Sequence, residues 1–101
     1  MKAPELASHQ RKWLRSKAHS LNPVVLLGDS GITESVLSAI DAALLAHELI
    51  KVRLRKPEDK KKAAQSLADQ SSAAMCGLVG HTVILYRPHP EEPQINLPKR
   101  D

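Results

Sequence analysis

The tightest constraint on this chain is a run of four apolar residues, VVLL at 24–27, followed by GDSG at 28–31 and then directly by a helical pattern. A short unbroken apolar run reads as a strand covered on both faces, which places it at the centre of a sheet. Thr33 is a good helix N-cap, and Ile32 before it and Leu37 after it are spaced for a hydrophobic staple. Val36, Leu37, Ile40, Ala43 and Leu44 then recur on one side of a helix that ends near His47. Strand, turn and helix follow one another with no room for a linker.

The rest of the chain falls in around that unit. LIKVRLR at 49–55 alternates as a strand, with Ile50, Val52 and Leu54 toward the core and Lys51, Arg53 and Arg55 toward the other face. Upstream, residues 5–20 read as a helix. Its apolar side carries Leu6, Trp13, Leu14 and Ala18. Arg11, Arg15 and His19 step by four along another side, with Lys12 beside them. Lys17 falls in the apolar arc, where it can snorkel near the favourable end of the helix dipole. Asn22-Pro23 ends this helix. Pro57, Glu58 and Asp59 open a third helix, whose buried side (Ala63, Ala64, Leu67, Ser71 and Ala74) is thin. CGLVGHTVILYRP at 76–88 reads as two strands joined by a turn at Gly80-His81. The expected order is α-β-α-β-α-β-β in a single α/β (α+β) domain over 1–98. Its sheet is covered on both faces, incompletely over Lys51, Arg53 and Arg55. The last fourteen residues, 88–101, hold four prolines and form an extended tail, loosely anchored by Ile95 and Leu97.

Composition narrows the function. Phenylalanine is absent and Trp13 and Tyr86 are the only aromatics, so the core is aliphatic and modules that stack bases on rows of aromatics are disfavoured. Fifteen basic residues against eleven acidic ones give a net charge of +4. Lys2, Arg11, Lys12, Arg15 and Lys17 form one basic block; Lys51, Arg53, Arg55, Lys56 and Lys60 to Lys62 form another. Between them, residues 32–48 hold three acids (Glu34, Asp41, Glu48) and no base. Two basic blocks flanking an acidic middle suggest a polyanion-binding surface assembled from separate segments. The single cysteine, Cys76, excludes an internal disulfide and reads as a small buried hydrophobe. No segment has the length of a membrane span or the apolar core of a signal peptide, so a cytoplasmic location is expected.

GDSG invites a catalytic reading, because trypsin-like proteases use these letters around their nucleophile. They place a further glycine where Ile32 stands, and Ser30 has no base assigned by any motif among the five histidines. No pair of histidines has zinc-site spacing. Catalytic residues, metal ligands, a cofactor and a small-molecule substrate are therefore not expected. A phosphate-facing turn fits better. Gly28 and Gly31 let a sugar-phosphate chain approach the backbone beside a helix N-terminus, as in the GxxG loop of KH domains. The second GxxG, GLVG at 77–80, sits inside the hairpin and needs no function.

The stretch LNPVVLLGDSGITESVLSAIDAALLAHELIKVRL (21–54), then GHTVILYRP (80–88) and INLP (95–98), resembles the YhbY-type CRM domain, named for chloroplast RNA splicing and ribosome maturation. The resemblance covers about 6–98. It implies a four-stranded mixed sheet similar to the C-terminal domain of a bacterial translation initiation factor. It also implies association with precursors of the large ribosomal subunit; repeated copies serve intron splicing in plants. Carried onto this chain, it makes Gly28, Asp29, Ser30 and Gly31 an RNA-contacting loop beside a basic first helix. Arg11, Lys12 and Arg15 would neutralise phosphates there, and Lys51, Arg53 and Arg55 would extend the track. Asp29 departs from the family, whose loops commonly carry a basic or neutral polar residue. At a helix N-terminus an acid is favourable by ~0.3–1 kcal/mol, at some expense to RNA contact. The expectation is a non-enzymatic, monomeric protein that binds large-subunit rRNA. The alternative is a protein-interaction adaptor that works through the acidic second helix and residues 95–98.

Overall fold

The computed structural model describes residues 3–55 and 59–99. Its elements are α1 (Ser8–Ala18), β1 (Val25–Leu27), α2 (Glu34–His47), β2 (Leu49–Leu54), α3 (Lys60–Ser71), β3 (Ala74–Val79) and β4 (Thr82–Tyr86). This is the expected order. The strands form one mixed sheet, β1-β2-β4-β3. β1 runs parallel to β2, Val25 opposite Val52 and Leu27 opposite Leu54. β4 is antiparallel to both β2 and β3. Parallel pairing needs a crossover, which α2 supplies.

Local chemistry sets the helix ends. The Thr33 hydroxyl accepts the Val36 N–H (3.2 Å), and the Asp59 carboxylate accepts the Lys62 N–H (3.1 Å). α1 starts later than the sequence suggests, since the Gln10 side chain accepts the Ala7 N–H (2.9 Å) and fixes the turn into the helix there. α3 stops at Ser71. Ser72 takes a left-handed conformation (φ 55°), and the Ala73 N–H closes the end on the Ala68 carbonyl (2.9 Å). Ala74, expected on the buried side of α3, instead opens β3, and Ala68 lines the core beside Leu67. Pro57 and Glu58, expected to open α3, lie outside the described residues.

The sheet has a thick side and a thin side. Ile50, Val52, Leu54, Val83 and Leu85 pack under α2 and α3 with Ile40, Leu44 and Leu67. On the opposite face Leu14 and Ala18 of α1 cover only Leu49, Cys76, Ile84 and Tyr86, edged by Leu6 and Trp13. One expectation fails here: β1 is an edge strand, not a central one. α1 packs over β2, β3 and β4, so Val24 and Leu26 on its face of the sheet stay 51% and 53% exposed. Only Val25 and Leu27 point into the core.

The tail is held firmly rather than loosely. Glu48, just after α2, is buried with φ 65° and ψ −41°. Its carboxylate accepts the N–H groups of His89 (2.6 Å), Gln94 (2.8 Å) and Ile95 (2.9 Å). Burial pushes this carboxyl up, but the three N–H donors, helped by the charge of His89, outweigh it and hold the pKa below the ordinary value. Ile95 and Leu97 then pack against the α1 layer, and Gln10 donates to the Pro98 carbonyl (2.9 Å). Arg87, also buried, donates to the Ser71 carbonyl (2.9 Å) and pairs with Asp41 (2.8 Å). Two of the three acids in 32–48 are thus engaged by the fold itself.

Candidate nucleic-acid interface

Because α1 stops short of β1, part of the sheet face beside it stays open, and the alternation of β2 aims Lys51 and Arg53 at that opening. The result is a groove walled by Arg15 and Ser16 of α1 and by His19 just after it, and floored by Lys51, Arg53 and Thr82. Beyond it lies a recess lined by Leu26, Arg53, Arg55 and His81. A third is bordered by Gly28, Asp29, Gly31, Arg55 and Lys62. Arg53 borders the first two and Arg55 the last two. The three recesses therefore form one cationic track from α1 to the 28–31 turn.

The cations along it are of two kinds. Lys51 donates to the carbonyls of His19 (3.3 Å) and Leu21 (3.0 Å), where a positive charge suits the end of α1. Arg15 donates to the Cys76 carbonyl (2.8 Å) at the irregularity between Met75 and Gly77. Its stem lies across Gly77, where an added Cβ would come within 2.5 Å of Arg15 Cδ. The first glycine of GLVG thus seats α1 against β3. Arg11 donates to the Leu6 carbonyl (2.7 Å) and to Ser8 Oγ (3.2 Å). These three cations are anchored, so less side-chain freedom is lost when they meet an anion. Arg53 and Arg55, by contrast, have exposed side chains with no hydrogen bond or ion pair among the described residues.

Cys76 lies beneath this wall. Burial pushes its thiol up to about 12 despite the opposing charges of Arg11 and Arg15, so it remains protonated and inert.

The turn itself is simple. The Gly31 N–H donates to the Gly28 carbonyl (3.1 Å), and Gly31 sits at φ +73°, where a side chain would be strained. Gly28 has neither demand: its φ is ordinary, and nothing lies within 4 Å of where a Cβ would sit. Asp29 and Ser30 are exposed at the tip.

Of the residues singled out in the sequence, the fold brings together Arg15, Gly28, Asp29, Gly31, Lys51, Arg53 and Arg55. Arg11, Lys12 and Ser30 lie outside these three recesses. His19, Thr82 and His81 join the lining. His19 was visible as the next step of four after Arg15, whereas His81 and Thr82 arrive through strand pairing and leave no sequence signal. Chemically the track is an open array of anchored and unanchored donors suited to a chain of phosphates. Among the described residues, no three His, Cys, Asp or Glu side chains converge to hold a metal ion, and no helix is long and apolar enough to cross a membrane.

The chain is similar to known proteins in sequence and in backbone. The CRS1/YhbY (CRM) domain model matches residues 6–87. The chain is 42% identical to a Haemophilus influenzae protein named RNA-binding protein, over 94% of this chain and 97% of the relative. It is 38% identical to Probable RNA-binding protein YqeI of Bacillus subtilis, over 92% and 99%. In three dimensions it is similar to the solution structure of SAV1595 from Staphylococcus aureus, with a TM-score of 0.80 at 33% identity, over 93% of this chain and 100% of that one. Sequence match, element order and backbone likeness agree: this chain belongs to the CRS1/YhbY (CRM) domain family.

Proposed function

We propose that this chain is a non-catalytic RNA-binding protein that acts in assembly of the large ribosomal subunit, holding rRNA along the track from α1 to the 28–31 turn. The observation that carries the reading is the continuity of that track, in a chain whose relatives bear RNA-binding names. Residues 1–98 act as one binding unit, with 88–101 as its tail, and the protein works in the cytoplasm as a monomer without a cofactor. Arg15 and Lys51 present charges already fixed by backbone carbonyls. Arg53 and Arg55 swing to meet phosphates, each able to grip two oxygens at once.

Recognition follows RNA shape and backbone more than base identity. Tyr86 is buried beneath α1 and Trp13 has Lys17 Nζ 5.2 Å from its ring centroid, so no aromatic row is available for stacking. The adaptor alternative loses ground on the geometry. Asp41 and Glu48 are engaged with Arg87 and the tail, and Ile95 and Leu97 are packed against α1.

Sedimentation of a lysate, tracking this protein at low and high salt, tests the ribosomal part. Co-migration with large-subunit precursors that is lost at high salt is expected. A protein that stays at the top of the gradient under gentle conditions would contradict a role in assembly.

The turn offers a cleaner separation of fold from binding. Gly31→Ala should destabilise by ~1 kcal/mol, because the residue sits in the left-handed region. Gly28→Ala should leave the melting temperature unchanged, within the ~0.5 kcal/mol typical of surface changes. If RNA backbone closes on the turn, Gly28→Ala still weakens binding, and unchanged affinity would remove Gly28 from the interface.

A further inference from the structure

The recess at the 28–31 turn has two walls, and the RNA contacts assigned so far lie on only one of them. Its other wall is α3, which sits on the opposite face of the sheet from α1. The side of α3 turned toward the turn carries Asp59, Lys62, Ala63 and Ser66, a helical spacing that lines one stripe. Ala63 and Ser66 are small and leave the floor open. Lys62 is the long cation of that stripe, exposed and without a hydrogen bond or ion pair from its side chain among the described residues. Two acids border the same recess. Asp59 is committed to capping α3 through the Lys62 N–H, while Asp29 stands exposed at the turn.

Resting on the RNA-binding reading above, we propose that RNA is gripped on both sides of the 28–31 turn, with Lys62 of α3 as a phosphate contact on the face of the sheet opposite α1. Arg55 joins the two halves, since it borders both the recess shared with Arg53 and the recess shared with Lys62. A phosphate chain that touches Arg53 and Lys62 has to pass over the end of β1 at the turn, which explains how Gly28 comes to lie against it. An unpaired or bulged stretch follows such a path more readily than a continuous duplex. The neighbouring Lys61 does not border the recess.

The test uses the full chain and deproteinised large-subunit rRNA, with affinity measured across a salt series for Lys62→Gln, Lys61→Gln and Arg53→Gln. Lys62→Gln should weaken binding about three- to tenfold and reduce the salt slope by ~0.7, with Lys61→Gln at the unmodified affinity. If Lys62→Gln binds like the unmodified protein while Arg53→Gln weakens binding, the contact at α3 is overturned and the track beside α1 stands. Equal weakening by Lys61→Gln and Lys62→Gln would also overturn it, since that pattern reports a diffuse field and not a seat at the recess. Full affinity in all three variants would overturn both the α3 contact and the track.

Discussion

Arg53→Glu combined with Arg55→Glu is expected to lower affinity for deproteinised large-subunit rRNA by about a hundredfold or more, with the fold intact. Each charge-assisted hydrogen bond to a phosphate contributes ~1.5–3 kcal/mol, and reversal replaces an attraction with a repulsion. Both side chains are exposed and neither has an intramolecular partner among the described residues, so folding stability should move by no more than ~0.5 kcal/mol. That separation is unavailable at Arg15 or Lys51. There a reversal would remove hydrogen bonds to the Cys76 carbonyl, or to the His19 and Leu21 carbonyls just after α1, and disturb the seat of the helix. Undiminished binding by a folded Arg53→Glu/Arg55→Glu protein would exclude the open sheet face as the RNA surface.

Glu48→Ala carries the largest expected cost in stability, ~3 kcal/mol, measured by denaturant unfolding at neutral pH. Three N–H donors of the tail lose one buried anion together, and hydrogen bonds to charged groups contribute ~1.5–3 kcal/mol each before the freed donors are rehydrated. For a domain with about 5–15 kcal/mol in all, this is a large share. Glu48→Gly separates the carboxylate from the backbone. Glycine relieves the positive φ of 65°, so a gain in stability would show that strain dominates, whereas the hydrogen-bond account predicts a loss.

The pH dependence has a definite sign. The folded pKa of Glu48 is depressed, so its contribution is complete above the ordinary value of 4.5 and disappears as pH falls through the folded value. Stability of the unmodified protein should therefore fall as pH drops below 4.5 toward the folded value. Glu48→Ala should lose less over the same range.

Much of this architecture can be read from residue order, and the exceptions share a cause. The alternation of LIKVRLR correctly assigns Ile50, Val52 and Leu54 to the core and aims Lys51 and Arg53 outward, because a strand's period of two is a local property. VVLL misleads because an apolar run records which residues tolerate burial, not which helix reaches them; Val24 and Leu26 are left open by the path of α1. Glu48 looks like one more acid in an acidic segment. Its partners His89, Gln94 and Ile95 lie more than forty positions away, a distance no window of neighbouring residues spans. Arg87 is hidden in the same way: the sequence marks it only as part of the YRP that ends the hairpin, yet its side chain joins α2 to the end of α3.

The binding surface divides along similar lines. The ridge at Arg11, Arg15 and His19 and the row at Lys51, Arg53 and Arg55 are each periodic and legible. The convergence of Arg15 and His19 with Lys51 and Arg53 on one groove depends on how α1 crosses the sheet, and that depends on Gly77 letting the Arg15 stem lie flat. Lys62 belongs to a lysine cluster that sequence alone leaves undifferentiated. Only the contact between α3 and the turn recess singles it out from Lys61.

The most direct test of the central claim is the salt dependence of binding to deproteinised large-subunit rRNA. Arg15, Lys51, Arg53 and Arg55 neutralising four phosphates predict a slope of about −3 for log affinity against log salt on unpaired RNA, since each released counterion contributes ~0.7, and Lys62 as a fifth contact takes it to about −3.5. A slope near zero, or no binding at low salt, would contradict an RNA surface built on this track.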